Sequence, residues 1–329
     1  MRQDDLSAGL STTECQQTGV CTFRYSGAVV GIVDGISSGL ELGTYSWPGS
    51  FFLAAYLDRE CSRVKGTALD SVSRGAGSET ALAAAAFEVA NPTLKLYTGM
   101  PQHLERTRVV ELGAGTGLPS LLLSKLGAAS VTLTDDSKRP AVLRACAANC
   151  TLNATNGNVR GLDWADFRDV MALCSDSTVL GDGSQDLLLL GADVFWLEER
   201  FEDLISCVAH LLRVHRKRGR ALDNARSRQS FLTAFHLRDA SLSIAPLLER
   251  YGLRAVVVAT AAELELPIYQ RITGLRDQAE AVDGLAVKAR AAGKIEVSDS
   301  MMFMKASSQD SPVVIFEIVL ADGAERSSG

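Results

Sequence analysis

The chain has 329 residues, of which 47% are hydrophobic and 22% charged, and a net charge of −6. That length holds one large domain or two small ones, with a core large enough to need no disulfide or metal staples. The acidic balance excludes a general nucleic-acid binder but leaves room for a local basic patch. No apolar run reaches membrane-spanning length, so no membrane partner is expected. Cysteines stand at 15, 21, 61, 146, 150, 174 and 207 without paired spacing, which fits reduced thiols in the cytoplasm or nucleus. Cys146 and Cys150 share a helix face, but no histidine lies near them in sequence, so no metal site is expected.

Residues 1–20 are polar and read as a disordered tail. Met1 to Thr18 lacks an apolar h-region, so no secretory signal is expected. Cys21–Asp34 is rich in β-branched and aromatic residues and predicts a strand. The turn residues Gly35-Ile36-Ser37-Ser38-Gly39 and a second short strand at Leu40–Tyr45 would complete an N-terminal β-hairpin. Trp47-Pro48 then opens a helix, Gly49–Cys61, with Phe52, Leu53, Tyr56 and Leu57 at helical spacing. Residues 65–107 contain Ser/Gly runs, an Ala-rich segment and two Pro turns, and read as a surface insertion with one short helix.

From Arg108 strands and helices alternate, which predicts a mostly parallel sheet covered by helices. The strands are Arg108–Leu112, Ser130–Asp135, Val159–Leu162, Gln185–Gly191, Ser230–Leu237, Arg254–Thr260 and Val313–Ala321. The helices are Leu118–Leu126, Lys138–Asn153, Phe201–Val214 and Ala240–Tyr251. The basic run 213–228 reads as a solvated loop or, in the sharper reading, a nuclear-targeting or acidic-partner surface. Residues 261–312 form a further insertion, giving a single domain over 21–329 with insertions near 65–107, 213–228 and 261–312.

The first of these strands ends in Glu111-Leu112-Gly113-Ala114-Gly115-Thr116-Gly117-Leu118-Pro119. Three glycines at every second position let the backbone pass close under a ligand, because no Cβ intervenes. Pro119 suits a first helical turn, and the helix N-terminus adds free amides and partial positive charge. A dinucleotide fingerprint needs G-x-G-x-x-G, whereas here the third glycine comes one residue early and Leu118 takes its place. G-x-G-x-G after an acidic strand end is the pattern of enzymes that use S-adenosylmethionine (AdoMet).

Further strand ends add to the site. Asp135, about twenty residues past the turn, can accept hydrogen bonds from ribose hydroxyls, with Asp136 as a stand-in. Trp164 after the third strand could pack on an adenine face, although a lone Trp is more often core. Leu187 to Gly191 carries no charge and implies a strand buried on both faces. Ala192 and Asp193 then fall at the carboxyl edge of the sheet, where open α/β sheets bind ligands. Asp193 and Trp196 could face a reactive centre together; alternatively Asp193 caps the next helix.

Taken in order, these segments resemble the seven-β-strand methyltransferases of family 16, protein-lysine methyltransferases that include enzymes acting on chaperones. Trp47-Pro48, the glycine turn, Leu133-Thr134-Asp135, the paired Asn149 and Asn153, Leu162-Asp163-Trp164 and Gly191-Ala192-Asp193-Val194-Phe195-Trp196-Leu197-Glu198 carry the resemblance. It implies a Rossmann-like, seven-stranded α/β fold, AdoMet as cofactor and a protein substrate such as a chaperone or other ATPase. It further implies AdoMet contacts from Trp47, Gly113, Ala114, Gly115, Gly117, Asp135, Trp164 and Ala192. Glu111 would brace the turn or reach the methionine amine through water. Asp193 and Trp196 would be the catalytic residues; the ring at 196 departs from the family's Tyr or Phe. Lysine is the target implied. Arginine is the alternative within the class, with Glu198 and Glu199 as extra acceptors, and a nicotinamide oxidoreductase or a non-catalytic binding module stand outside it.

Overall fold

The computed structural model describes residues 20–33, 42–73, 103–222, 227–236, 243–260 and 313–321. The most apolar runs form the middle of a sheet: β3 (Thr107–Leu112) lies beside β6 (Asp186–Ala192). Leu187 to Leu190 are each at most 2% exposed, as a strand covered on both faces requires. β4 (Ser130–Asp135) and β5 (Asn158–Gly161) extend the sheet beyond β3. β7 (Gln229–His236), β9 (Val313–Leu320) and β8 (Leu253–Thr260) extend it beyond β6, so the order is β5-β4-β3-β6-β7-β9-β8. Pairs from β5 through β7 are parallel, whereas β9 runs antiparallel to both β7 and β8. Counted within the sheet, the order is 3-2-1-4-5-7-6. The dinucleotide fold instead runs 3-2-1-4-5-6, so the reversed seventh strand separates this sheet from that one. The predicted seven-stranded, mostly parallel α/β architecture is what the chain adopts.

Helices cover both faces. On one side lie α1 (Pro48–Ser73), α2 (Leu118–Leu126) and α3 (Pro140–Leu152), with Leu53, Leu57, Leu121 and Leu122 fully buried. On the other lie α4 (Phe167–Ser175), α5 (Ser177–Leu180), α6 (Phe201–Ala221) and α7 (Ala245–Arg250), anchored by Leu204, Ile205 and Leu211. Each such leucine stabilises the fold by about 1.5–3 kcal/mol relative to exposure. No helix among the described residues is long and apolar enough to cross a membrane.

The hairpin exists, but its turn is displaced. β1 (Val20–Arg24) pairs with β2 (Val29–Val33), and the Tyr25 N–H donates to the Ala28 carbonyl at 2.8 Å. Ser26-Gly27 makes the reversal, not residues 35–39. A two-residue turn inside a run rich in β-branched and aromatic residues is easily read as continuous strand. Leu42–Thr44 is a single 3-10 turn, not the second strand, and residues 34–41 lie outside the described residues. Among the described residues no further strand pairs with β2, and side chains close that edge. Asn153 accepts from the Gly31 N–H at 2.9 Å and donates to the Gly31 carbonyl at 2.6 Å, imitating a neighbouring strand at an edge that would otherwise be open.

Three further expectations are corrected. α1 runs to Ser73, so the first part of the 65–107 segment is helical. α6 runs to Ala221, so residues 213–221 are helix and not an inserted loop. Lys and Arg favour helix, and their stems can lie along apolar surface. Arg218 donates to the Cys174 carbonyl at 2.6 Å and to the Gly181 carbonyl at 2.8 Å. His215 is fully buried between the carbonyls of Leu180 and Gln185. Helices α4 and α5, which periodicity did not suggest, start at Asp166 and Asp176, whose carboxylates accept from the N–H groups of Arg168 and Thr178. α7 is shorter than Ala240–Tyr251; residues 237–242, 74–102 and 261–312 lie outside the described residues.

Candidate active site

The carboxyl ends of β3, β4, β5 and β6 converge on a cavity of about 290 Å³. Its floor is the turn after β3. Gly113, Gly115 and Gly117 have φ of 65°, 53° and 80°, left-handed values that favour glycine. The Ala114 N–H donates to the Thr134 carbonyl at 2.9 Å and the Gly115 N–H to Asp135 Oδ2 at 2.9 Å. Asp135 Oδ1 accepts from the Asp136 N–H at 2.8 Å. The turn is thereby laid against the end of β4, and Asp135 is fixed beside it.

Eight of the eleven expected site residues line the cavity: Trp47, Gly113, Gly115, Asp135, Trp164, Ala192, Asp193 and Trp196. Glu111, Ala114 and Gly117 do not. A Cβ on Gly117 would stand 2.4 Å from Leu133 Cδ2, so this glycine faces the core and starts α2 in a left-handed conformation. Ala114 is buried, with its N–H committed to Thr134. Glu111 is 1% exposed, and its Oε2 accepts from the Ser120 N–H at 3.2 Å. Burial pushes its carboxyl up to about 8, against the opposing pull of the Ser120 hydrogen bonds. Glu111 therefore braces the first turn of α2 from beneath the turn it was expected to support.

Asp193 has a φ of 53°, uncommon outside glycine. Its Oδ2 accepts from the Gly49 N–H at 2.6 Å, whereas its Oδ1 is buried without a hydrogen-bond partner among the described residues. It does satisfy a helix N-terminus, but that of α1 from across the cavity, not that of the helix that follows it. Trp164 packs against the floor: a Cβ on Gly113 would lie 3.4 Å from Trp164 Cζ2. Its Nε1 is also buried without a partner.

Sequence reasoning missed part of the rim. Arg139, Arg200, Gly43, Val194 and Leu197 also line the cavity. Arg200 donates to Asp163 Oδ1 and Lys138 to Asp163 Oδ2, each at 2.6 Å. Asp163 is 3% exposed, and Lys138, followed by Arg200, holds its carboxyl down to about 2. This pairing ties the end of β5 to the segment before α6. Asp163 stood beside the quoted Trp164, but a partner 37 residues away has no local signal.

The two orphaned polar atoms and the Cβ-free floor at Gly113 and Gly115 suit a polar ligand lying over the turn. Residues 37–235 match a family model described as lysine methyltransferase. The chain belongs to this family. Membership gives AdoMet as the cofactor. The chain is 30% identical over 165 residues to the histone-arginine methyltransferase METTL23 of Xenopus laevis, covering 48% of this chain and 58% of that protein. It is 37% identical over 113 residues to the protein N-lysine methyltransferase METTL21A of Danio rerio, covering 33% of this chain and 45% of that one. With the EEF1A lysine methyltransferase 3 of Mus musculus the identity is 29% over 148 residues, covering 44% of this chain and 57% of its relative. The chain thus spans about half the length of the curated relatives it matches.

Proposed function

We propose that this chain transfers a methyl group from AdoMet to a lysine side chain of a protein substrate. The observation that carries the reading is the state of Asp193: one oxygen is taken by Gly49, and the other is buried on the cavity wall with no partner. A single free acceptor matches an ammonium group. A guanidinium presents a planar fork that prefers two acceptors, and the candidates for the second, Glu198 and Glu199, are exposed and outside the cavity lining. Arginine is kept as the second reading because a METTL23 relative bears a histone-arginine methyltransferase name.

When bound, AdoMet supplies an electrophilic methyl group on a cationic sulfur. Gly113 and Gly115 would support it, Asp135 would accept from its ribose hydroxyls, and Trp164 would lie against its base. Ala192 leaves space beside it, and Glu111, Ala114 and Gly117 act behind the turn. A lysine amine, with a pKa of about 10.4 in water, must shed its proton to act as a nucleophile. The indoles of Trp47 and Trp196 create apolar surroundings that favour the neutral amine, and their faces attract a cation beforehand. Asp193 orients the incoming nitrogen first and accepts its proton second. Catalysis of this kind rests on positioning, which can supply about 7–11 kcal/mol of a barrier.

The substrate we favour is a chaperone or other ATPase, met in the cytoplasm and nucleus. Cys146, Cys150, Cys174 and Cys207 carry free thiols, which supports a reducing compartment. Isothermal titration with AdoMet and with NAD, followed by tritiated-methyl transfer into lysate proteins, tests the reading. AdoMet binding and label on lysine, lost in Asp193→Ala, are expected. Binding of NAD alone, binding without transfer, or label confined to arginine would overturn it in favour of the oxidoreductase, the binding module or the arginine enzyme respectively. Mass spectrometry of the labelled band names the substrate, and fluorescence of a tagged chain reads the compartment.

A further inference from the structure

We propose that Asn149, which does not itself line the cavity, is a positioning residue for the AdoMet turn; the proposal rests on the AdoMet reading above. Asn149 is completely buried on α3. Its Oδ1 accepts from the Val33 N–H of β2 at 2.8 Å. Its Nδ2 donates to the Thr116 carbonyl at 3.0 Å and, at 3.4 Å, to the Val33 carbonyl. Both amide hydrogens and the oxygen are therefore in use, and a carboxamide satisfied on all sides inside a core has one orientation. Thr116 is the turn residue between Gly115 and Gly117, itself 2% exposed. Its hydroxyl lies 2.9 Å from the Ser46 hydroxyl, next to Trp47 in sequence. One side chain thus links the hairpin to the glycine turn, and the turn links to the segment that carries Trp47 across the cavity.

Asn153 supplies the control. It caps the C-terminus of the same helix, four residues on, and grips the same strand through Gly31, yet none of its hydrogen bonds reaches the turn. If these asparagines only dock the hairpin, both should behave alike. If Asn149 also sets the turn, only its loss should reach the cofactor. Three backbone groups hold the turn elsewhere, through Thr134, Asp135 and Ala114. Loss of Asn149 should therefore loosen the turn at Thr116 without dismantling it.

The test compares the full-length chain with Asn149→Ala and Asn153→Ala. AdoMet affinity is measured by titration, KM for AdoMet and kcat by methyl transfer, and folding by thermal melting. Expected is a rise in Kd and KM of about tenfold for Asn149→Ala, which is the loss of one buried hydrogen bond, with kcat changed far less. Asn153→Ala should melt earlier but keep its Kd within about threefold. Should Asn149→Ala fail to fold, Asn149→Ser, whose hydroxyl is too short to span the gap, takes its place with the same expectation. Equal Kd shifts in the two variants, or none in either, overturn the role of Asn149 while leaving AdoMet binding intact. A native chain that binds no AdoMet overturns both readings at once.

Discussion

The Gly49 N–H donates to Asp193 Oδ2 at 2.6 Å, so the first turn of α1 holds the carboxylate of the segment after β6. Space at this junction is tight. A Cβ on Gly49 would lie 2.7 Å from Asp193 Cγ and Oδ2 and 2.9 Å from Oδ1. Alanine favours helix over glycine by about 1 kcal/mol, yet here its methyl group must push Asp193 aside. Gly49→Ala is expected to lower kcat by about tenfold to a hundredfold, the range associated with small misplacements at a reacting centre. AdoMet affinity should stay within about threefold. Steady-state kinetics together with titration check this; unchanged kcat would remove Asp193 from the chemistry.

The glycines of the turn should separate by role. Gly115 lines the cavity, and a Cβ there would approach the Gly43 carbonyl to 3.0 Å. Gly117 faces Leu133 instead. Gly115→Ala is expected to weaken AdoMet binding by tenfold or more, on the order of one lost hydrogen bond or equivalent strain. Gly117→Ala is expected to cost about 2 kcal/mol or more of stability through left-handed strain and overpacking. Melting and titration of both variants show whether the two effects divide in this way.

Glu111 should leave a signature in the pH dependence of stability. Burial raises its carboxyl from 4.5 to about 8 in the folded chain. Between those values the folded state keeps a proton that the unfolded state has released, so the native state binds more protons and stability falls as pH rises. The contribution is whole below about 4.5 and gone above about 8. Glu111→Gln, which cannot ionise, should show a flatter melting temperature across that window and gain on the native chain toward its upper end. Parallel pH curves for the two proteins would show that Glu111 is ionised within the fold.

Asp163 works in the opposite direction. Its carboxyl is held from 3.8 down to about 2, so its contribution is present above 3.8 and lost as pH falls through about 2. Asp163→Asn should remove that acid-labile part from acid titrations of stability. Its two partners should differ, because the Lys138 side chain is 76% exposed and the Arg200 side chain 33%. Exposed pairs contribute about 0–1 kcal/mol. Arg200→Ala is expected to weaken AdoMet binding severalfold, since Arg200 also lines the cavity, whereas Lys138→Ala should leave AdoMet binding unchanged and only shrink the acid-labile part of stability.

Much of this structure is legible in residue order. β6 announces itself by an unbroken leucine run, as a strand covered on both faces requires, and β3 and β4 by shorter β-branched runs. The glycine turn, Asp135 and Asp193 follow from their places at the ends of those strands. The reverse turn at Ser26-Gly27 is hidden, since the residues on either side have the same strand-favouring character. The helical extent of 213–221 is hidden for another reason: a run of Arg and Lys looks solvated until Arg218 is seen to bind Cys174 and Gly181. Spacing groups Gly117 with its neighbours, although only three-dimensional packing shows that it faces Leu133. The Asp163–Arg200 pair and the Asn149 contacts join segments far apart in the chain, and no local pattern encodes such a meeting.

The placement of β9 has a consequence for how the chain is made. Among the described residues β8 pairs with β9 alone, and one edge of β7 waits for the same strand. Residues 261–312 must be synthesised in between, which takes roughly 3–10 s at ordinary translation rates. Throughout that interval two rows of backbone N–H and C=O groups are open to any other extended chain. The nascent polypeptide, and not the completed domain, is therefore the form most prone to aggregate.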